Sequence, residues 1–142
     1  MQKLKERVYT AHMTTKGGRV GESKSDDGRL KVSLSTPKEM GGDGGDGTNP
    51  EQLFGAGYSA CFLGAMKAVA GKMDIEVPED TEINAEVTFG PVDKGFGIAV
   101  KMDISMPGLE REDAEKVVTE AHKVCPYSNA TRDNIEVELN VV

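Results

Sequence analysis

The segment Asn49–Lys72, NPEQLFGAGYSACFLGAMKAVAGK, constrains this chain more than any other stretch. Asn49 offers a capping oxygen, and Pro50 suits the first helical position because it has no N–H to leave unpaired. Glu51 sets a negative charge at the positive end of the helix. A helix from there to about Lys72 carries two stripes. Phe54, Tyr58, Phe62, Met66 and Val69 recur every three or four residues as a large apolar face. Gly57, Ala60, Gly64, Ala68 and Gly71 make a second face of small residues, onto which another backbone can close. Both stripes predict a helix buried on more than one side.

Before this helix, ERVYTAHMTT and RLKVSLS are rich in strand formers, and KGGRVGESKSDDG between them supplies glycine turns. This predicts an antiparallel meander of two or three strands with Arg19 near its first turn. KEMGGDGGDGTNP reads as a glycine-rich loop too flexible for regular structure, and as a candidate lid. After the helix, EINAEVTFG and FGIAVKMDISM form a hairpin through PVDKG. EREDAEKVVTEAHKVC is an amphipathic helix with Val117, Ala121 and Val124 on one face. PYSNATRDN breaks it, with room for a short helical turn, and IEVELNVV closes as a strand. The order predicts one α+β domain spanning residues 1–142, with mostly antiparallel sheet and two main helices.

Charge narrows the partners. Twenty-four acidic residues against 17 basic ones leave a net charge of −7, with no local Lys/Arg cluster. That argues against nucleic acid or an anionic membrane surface as the main partner. No apolar signal run opens the chain, and no segment is expected to approach transmembrane length, so a soluble cytoplasmic protein is expected. In a reducing compartment two cysteines pair transiently if they pair at all; otherwise they are buried thiols acting as small hydrophobes.

Three motifs are decoys. Gly42–Gly47 spells GxGxxG, but Asp43 and Asp46 would repel a pyrophosphate and no βαβ unit surrounds it. Asn129-Ala130-Thr131 matches a glycosylation acceptor without a secretory route. His122 and Cys125 stand three apart on a helix and, with His12 and Cys61, could hold zinc, but paired CxxC spacing is missing. His122 is read more simply as a solvated residue near a helix C-terminus.

Cys61 lies about three turns beyond Asn49, too far for the helix dipole to stabilise a thiolate. Lys67, six positions further, points to another side. A reactive Cys61 therefore needs a cation from elsewhere in the fold.

NPEQLFGAGYSACF and VCPYSNATR together resemble the organic hydroperoxide resistance (Ohr) branch of the OsmC/Ohr family. YTA and GGRVG near the N-terminus and the glycine-rich loop before Asn49 carry the same resemblance, which spans essentially the whole chain. It implies a peroxidase in which Cys61 attacks the peroxide and Cys125 resolves the product as a disulfide. It places the family's arginine on Arg19 and its glutamate on Glu51, where a bidentate pair would orient the guanidinium beside the thiolate. It also implies no bound cofactor, an external dithiol reductant such as a dihydrolipoyl group on a lipoylated protein, and an intertwined homodimer. Phe54, Phe62, Met66, Phe96 and Tyr127 are candidates for an alkyl-binding pocket or for plain core. Rival readings are an OsmC-branch peroxidase, a non-catalytic redox sensor using the same cysteines, and a zinc module; CPYSNATR favours the Ohr branch.

In a straight helix Glu51 and Cys61 stand about 15 Å apart and roughly 80° apart in azimuth. Either the helix bends at Gly55 and Gly57, or a second subunit completes the site. Asp133 stands where the family commonly has glycine, and Asp is among the residues that best tolerate a left-handed backbone.

Overall fold

The computed structural model describes all 142 residues, Met1–Val142. The chain forms two compact units, Met1–Pro50 and Glu51–Val142.

The first unit is an antiparallel meander of β1 (Met13–Lys16), β2 (Glu22–Ser25) and β3 (Lys31–Ser33). Of ERVYTAHMTT only the last three residues join a strand, and residues 1–12 carry no regular structure. Strand formers there have no neighbouring strand to pair with, and β propensity acts mainly through such pairing. A 3-10 turn, Gly18–Val20, links β1 to β2 and carries Arg19. It folds so tightly that a Cβ at Gly21 would stand 1.7 Å from the Lys16 carbonyl oxygen. At the next turn Asp27 accepts from Ser25 Oγ at 2.6 Å and from the Arg29 N–H at 3.0 Å. Those bonds, the Ser25 hydroxyl first, hold its carboxyl below the usual carboxylate value.

The glycine-rich loop is more regular than its composition suggests. It contains a 3-10 turn at Lys38–Met40 and closes on itself through a bridge between Leu34 and Thr48. The Thr48 N–H donates to the Ser33 carbonyl at 2.9 Å, and the Gly47 N–H to Ser35 Oγ at 2.9 Å.

In the second unit, α1 spans Pro50–Lys72 without interruption. It is followed by β4 (Glu82–Pro91), β5 (Phe96–Ser105), α2 (Arg111–Val124), α3 (Pro126–Thr131) and β6 (Val137–Val141). The sheet order is β4-β5-β6. β4 and β5 form the expected antiparallel hairpin, with Val87 opposite Val100. β6 lies parallel to β5, Met102 opposite Leu139, so α2 and α3 form the crossover between them.

One hydrophobic cluster organises this unit. β5 sends Val100, Met102 and Ile104 inward at every second residue, as strand geometry requires. α1 contributes Tyr58, Phe62, Met66 and Ala70, and α2 contributes Ala114, Val117, Val118 and Ala121. Each large side chain so buried is worth about 1.5–3 kcal/mol against exposure.

Three expectations change. Val124 is 52% exposed, because the buried face of α2 turns through Ala114, Val117, Val118 and Ala121 instead. α1 buries Tyr58, Phe62 and Met66 of its large stripe and half-buries Phe54 and Val69, whereas Ala60, Gly64, Ala68 and Gly71 are exposed in the single chain. α1 is also long and apolar enough to cross a membrane by length and composition, at 23 residues with an 18-residue stretch of mean hydropathy 1.3. Its large apolar face is nonetheless spent on the core of this unit.

Candidate active site

Cys61 lies mid-helix on α1, one turn after Tyr58, and is half-buried; Cys125 is fully buried. Both are free thiols. Cys125 occupies a joint. Its N–H completes α2 by donating to the Ala121 carbonyl at 2.9 Å, and its own carbonyl accepts from Asn129 of α3 at 2.9 Å. Between these bonds its backbone is extended, φ −61° and ψ 126°. Pro126 explains this, because the residue before a proline is pushed out of the helical region. Pro126 then begins α3 at the position where a missing N–H costs nothing.

The first N–H groups of a helix have no partner within it. That of Tyr127, in the first turn of α3, and the buried Cys125 thiol both lie close enough to Cys61 to act on its sulfur. The backbone break at Pro126 therefore brings a buried thiol and a backbone donor to one half-buried sulfur.

Aromatic packing fixes the same corner. Tyr127 stacks on Tyr58 with ring centroids 5.6 Å apart and meets Phe54 edge-on at 5.9 Å. Its ring occupies the gap left by Gly57, where a Cβ would stand 2.8 Å from Tyr127 Oη. Gly55 is likewise close to Val87, at 3.2 Å from such a Cβ. Close approach thus accounts for both glycines.

Burial, then the neighbouring Cys125, pushes the Cys61 thiol above its ordinary value, and the Tyr127 N–H acts in the opposite direction. His122 departs from the solvated residue expected from sequence. It is half-buried, its Nδ1 lies 2.9 Å from Ser128 Oγ, and burial followed by the Arg132 charge lowers its pKa. Arg132 also donates to the His122 carbonyl and, at 2.9 Å, to Asn129 Oδ1. Asp133, next along, adopts a left-handed backbone, with φ 61°, which Asp tolerates.

Cys61, Cys125, Phe54 and Tyr127 are therefore gathered together. Phe62 and Met66 are fully buried core residues, one step inside the sulfur pair. Phe96 is 70% exposed and stacks on Phe89 at the turn end of the β4–β5 hairpin. Arg19 is half-buried on the first unit's 3-10 turn, and Glu51 occupies the first turn of α1. No group of three His, Cys, Asp or Glu side chains is disposed to hold a metal ion. Sequence reasoning missed the Tyr127 N–H and the polar partners of Tyr58; Pro126, as a helix-start signal directly after Cys125, pointed to the first of these.

Residues 42–140 match the family described as OsmC-like protein. The chain is 53% identical over 134 residues to the organic hydroperoxide resistance protein of Xanthomonas axonopodis pv. citri, covering 94% of each. It is 42% identical to organic hydroperoxide resistance protein OhrB of Bacillus subtilis, over 94% of this chain and 98% of that one. The crystal structure of that Bacillus protein superimposes with a TM-score of 0.88, at 43% identity, over 96% of this chain and 100% of that chain. The α+β fold is the one these structures share, and the chain, similar to these organic hydroperoxide resistance proteins, belongs to the OsmC family.

Proposed function

We propose that this chain is a thiol peroxidase that reduces organic hydroperoxides to alcohols. The observation that carries this reading is the proximity of half-buried Cys61 on α1 to buried Cys125 at the α2–α3 joint. Relatives named for organic hydroperoxide resistance support the substrate class.

The Cys61 thiolate attacks the peroxide oxygen distal to the alkyl group. The O–O bond breaks, the alkoxide leaves as alcohol after taking a proton, and Cys61 becomes a sulfenic acid. Cys125 then attacks that sulfur, expelling water and closing a disulfide before further oxidation. An external dithiol, of the dihydrolipoyl type on a lipoylated protein, reduces the disulfide and is itself oxidised to a cyclic disulfide.

Burial opposes the thiolate this scheme requires, so a cation is needed. Arg19 fills that role, with Glu51 orienting the guanidinium as a bidentate partner. Phe54 and Tyr127 supply apolar surface for the alkyl group, and Phe62 and Met66 stiffen it from within. The exposed small-residue stripe of α1 is the face on which a second copy packs in a homodimer, and the protein works in the cytoplasm.

Mass spectrometry after one equivalent of tert-butyl hydroperoxide tests the proposal. One Cys61–Cys125 disulfide per chain is expected, and Arg19→Ala should shift Cys61 alkylation to higher pH. Undiminished peroxide consumption by Cys61→Ser would sink the mechanism. Faster turnover of hydrogen peroxide than of tert-butyl hydroperoxide would move the chain to the OsmC-branch reading.

A further inference from the structure

Four side chains that the scheme above leaves unused form a continuous hydrogen-bonded chain inside the second unit. Tyr58 Oη lies 2.9 Å from Ser128 Oγ and 3.0 Å from Thr131 Oγ1. Ser128 Oγ in turn lies 2.9 Å from His122 Nδ1. Tyr58, Ser128 and Thr131 are buried, and His122 is half-buried. The chain ties α1, α3 and α2 together, and its anchors share one spacing. Tyr58 stands three residues before Cys61, Ser128 three after Cys125, and His122 three before Cys125. Each anchor is about one helical turn from a reacting sulfur.

We propose that Tyr58, Ser128 and His122 are positioning residues for the second chemical step, holding the α2–α3 corner against α1 so that Cys125 meets the Cys61 sulfenic acid in line. The inference rests on the peroxidase reading and concerns only the closing of the disulfide. Apolar packing alone is non-directional and leaves a six-residue helix free to slide along α1. Hydrogen bonds narrow that freedom to a few tenths of an ångström. A buried hydroxyl that lost its partners would be left unsatisfied, so the chain resists opening. Sulfur–sulfur bond formation needs this control, because its final geometry is narrow in distance and in dihedral angle. The first step, by contrast, needs Cys61, its cation and the peroxide, and makes no demand on the position of Cys125.

The hydroxyls can be satisfied in either direction along the chain. Thr131 can donate to the Ser128 carbonyl at 3.3 Å, with Tyr58, Ser128 and then His122 each donating toward it. Alternatively Thr131 donates to Tyr58, Tyr58 to Ser128, and Ser128 to His122. Asparagine at position 122 can serve either arrangement from near the Nδ1 position, whereas leucine can serve neither.

The test follows both steps in one time course. Reduced protein is mixed with one equivalent of tert-butyl hydroperoxide, quenched, and analysed by mass spectrometry for dimedone-trapped sulfenic acid and for disulfide. Tyr58→Phe, Ser128→Ala and His122→Leu should slow disulfide closure by about 10- to 100-fold, the range expected for a misplacement of up to 1 Å. Sulfenic acid formation should keep its native rate, and His122→Asn should restore closure. Ile104→Val, a core change away from the chain, should leave both steps alone. The half-buried His122 pair keeps the test decisive if a buried-hydroxyl variant fails to fold. Unchanged closure in His122→Leu, equal slowing of both steps, or equal slowing by Ile104→Val would overturn the positioning role. Absence of both sulfenic acid and disulfide in the native chain would instead remove the peroxidase reading, and this inference with it.

Discussion

Cys61 and Cys125 sit on two kinds of backbone. Cys61 is carried by a continuous 23-residue helix whose opposite end is far away and whose own hydrogen bonds fix the Cα. Cys125 sits where one helix stops and a six-residue helix starts, with extended dihedrals of its own. The helix holds its sulfur through main-chain bonds that no side-chain change removes. The corner depends on side chains: Tyr127 in the Gly57 gap, Ser128 and Thr131 on Tyr58, and Arg132 on His122 and Asn129. The proposed nucleophile and its proposed resolving partner are thus secured by different means, and substitutions should affect them differently.

The widest separation is chemical. Cys61→Ser should abolish peroxide turnover, while Cys125→Ser should still complete one attack and stop at the sulfenic acid, as intact-mass measurement will record. Next is the frame of α1. Phe62→Ala removes a fully buried ring and should cost about 3–5 kcal/mol in urea unfolding, with Cys61 chemistry intact in the folded fraction. Gly57→Ala acts on the junction of helix and corner. Its Cβ would press on Tyr127 Oη, so a loss of about 1–3 kcal/mol is expected, together with slower disulfide closure. Gly64→Ala meets nothing within 4 Å in the single chain and should raise stability by about 1 kcal/mol through helix propensity. A drop instead, deepening on dilution, would reveal a second copy packed on that stripe.

The smallest expected effect is on pH dependence. Burial and Arg132 hold His122 below its ordinary value of 6.5, so on acidification the unfolded chain takes up that proton first. The contribution to stability is complete above about pH 6.5 and declines as the pH falls through that value toward the folded one. Between pH 7.5 and 5.5 the thermal midpoint should therefore fall further in the native chain than in His122→Asn. Equal falls would separate His122 from the corner's stability.

Where local chemistry decides the backbone, the sequence was legible. Pro50 starts α1, the helix ends at Lys72 as its periodicity suggested, and alternation located both hairpin strands between Glu82 and Ser105. Asp133 took the left-handed conformation that Asp tolerates. Where tertiary context decides, the reading fell short. Residues 6–12 have strand formers but no strand to pair with. Val124 was placed inward although the packing angle of α2 turns it out. His122 looked like a solvated helix end because its partner, Ser128, lies beyond the proline break. The two cysteines are identified from motifs, but the Tyr127 N–H is a backbone group, signalled only indirectly by the helix-starting Pro126 before it.

The parallel pairing of β5 and β6 bears on how a newly made chain acquires this chemistry. The corner bearing Cys125 lies inside the crossover to β6, Val137–Val141. A chain made from its N-terminus exposes Cys61 long before the strand that closes the crossover has been synthesised. On the proposed chemistry, peroxide reaching Cys61 during that interval finds no resolving thiol held beside it. Nascent chains are thus the molecules most open to irreversible oxidation, and the vulnerability ends only when β6 has left the ribosome and docked.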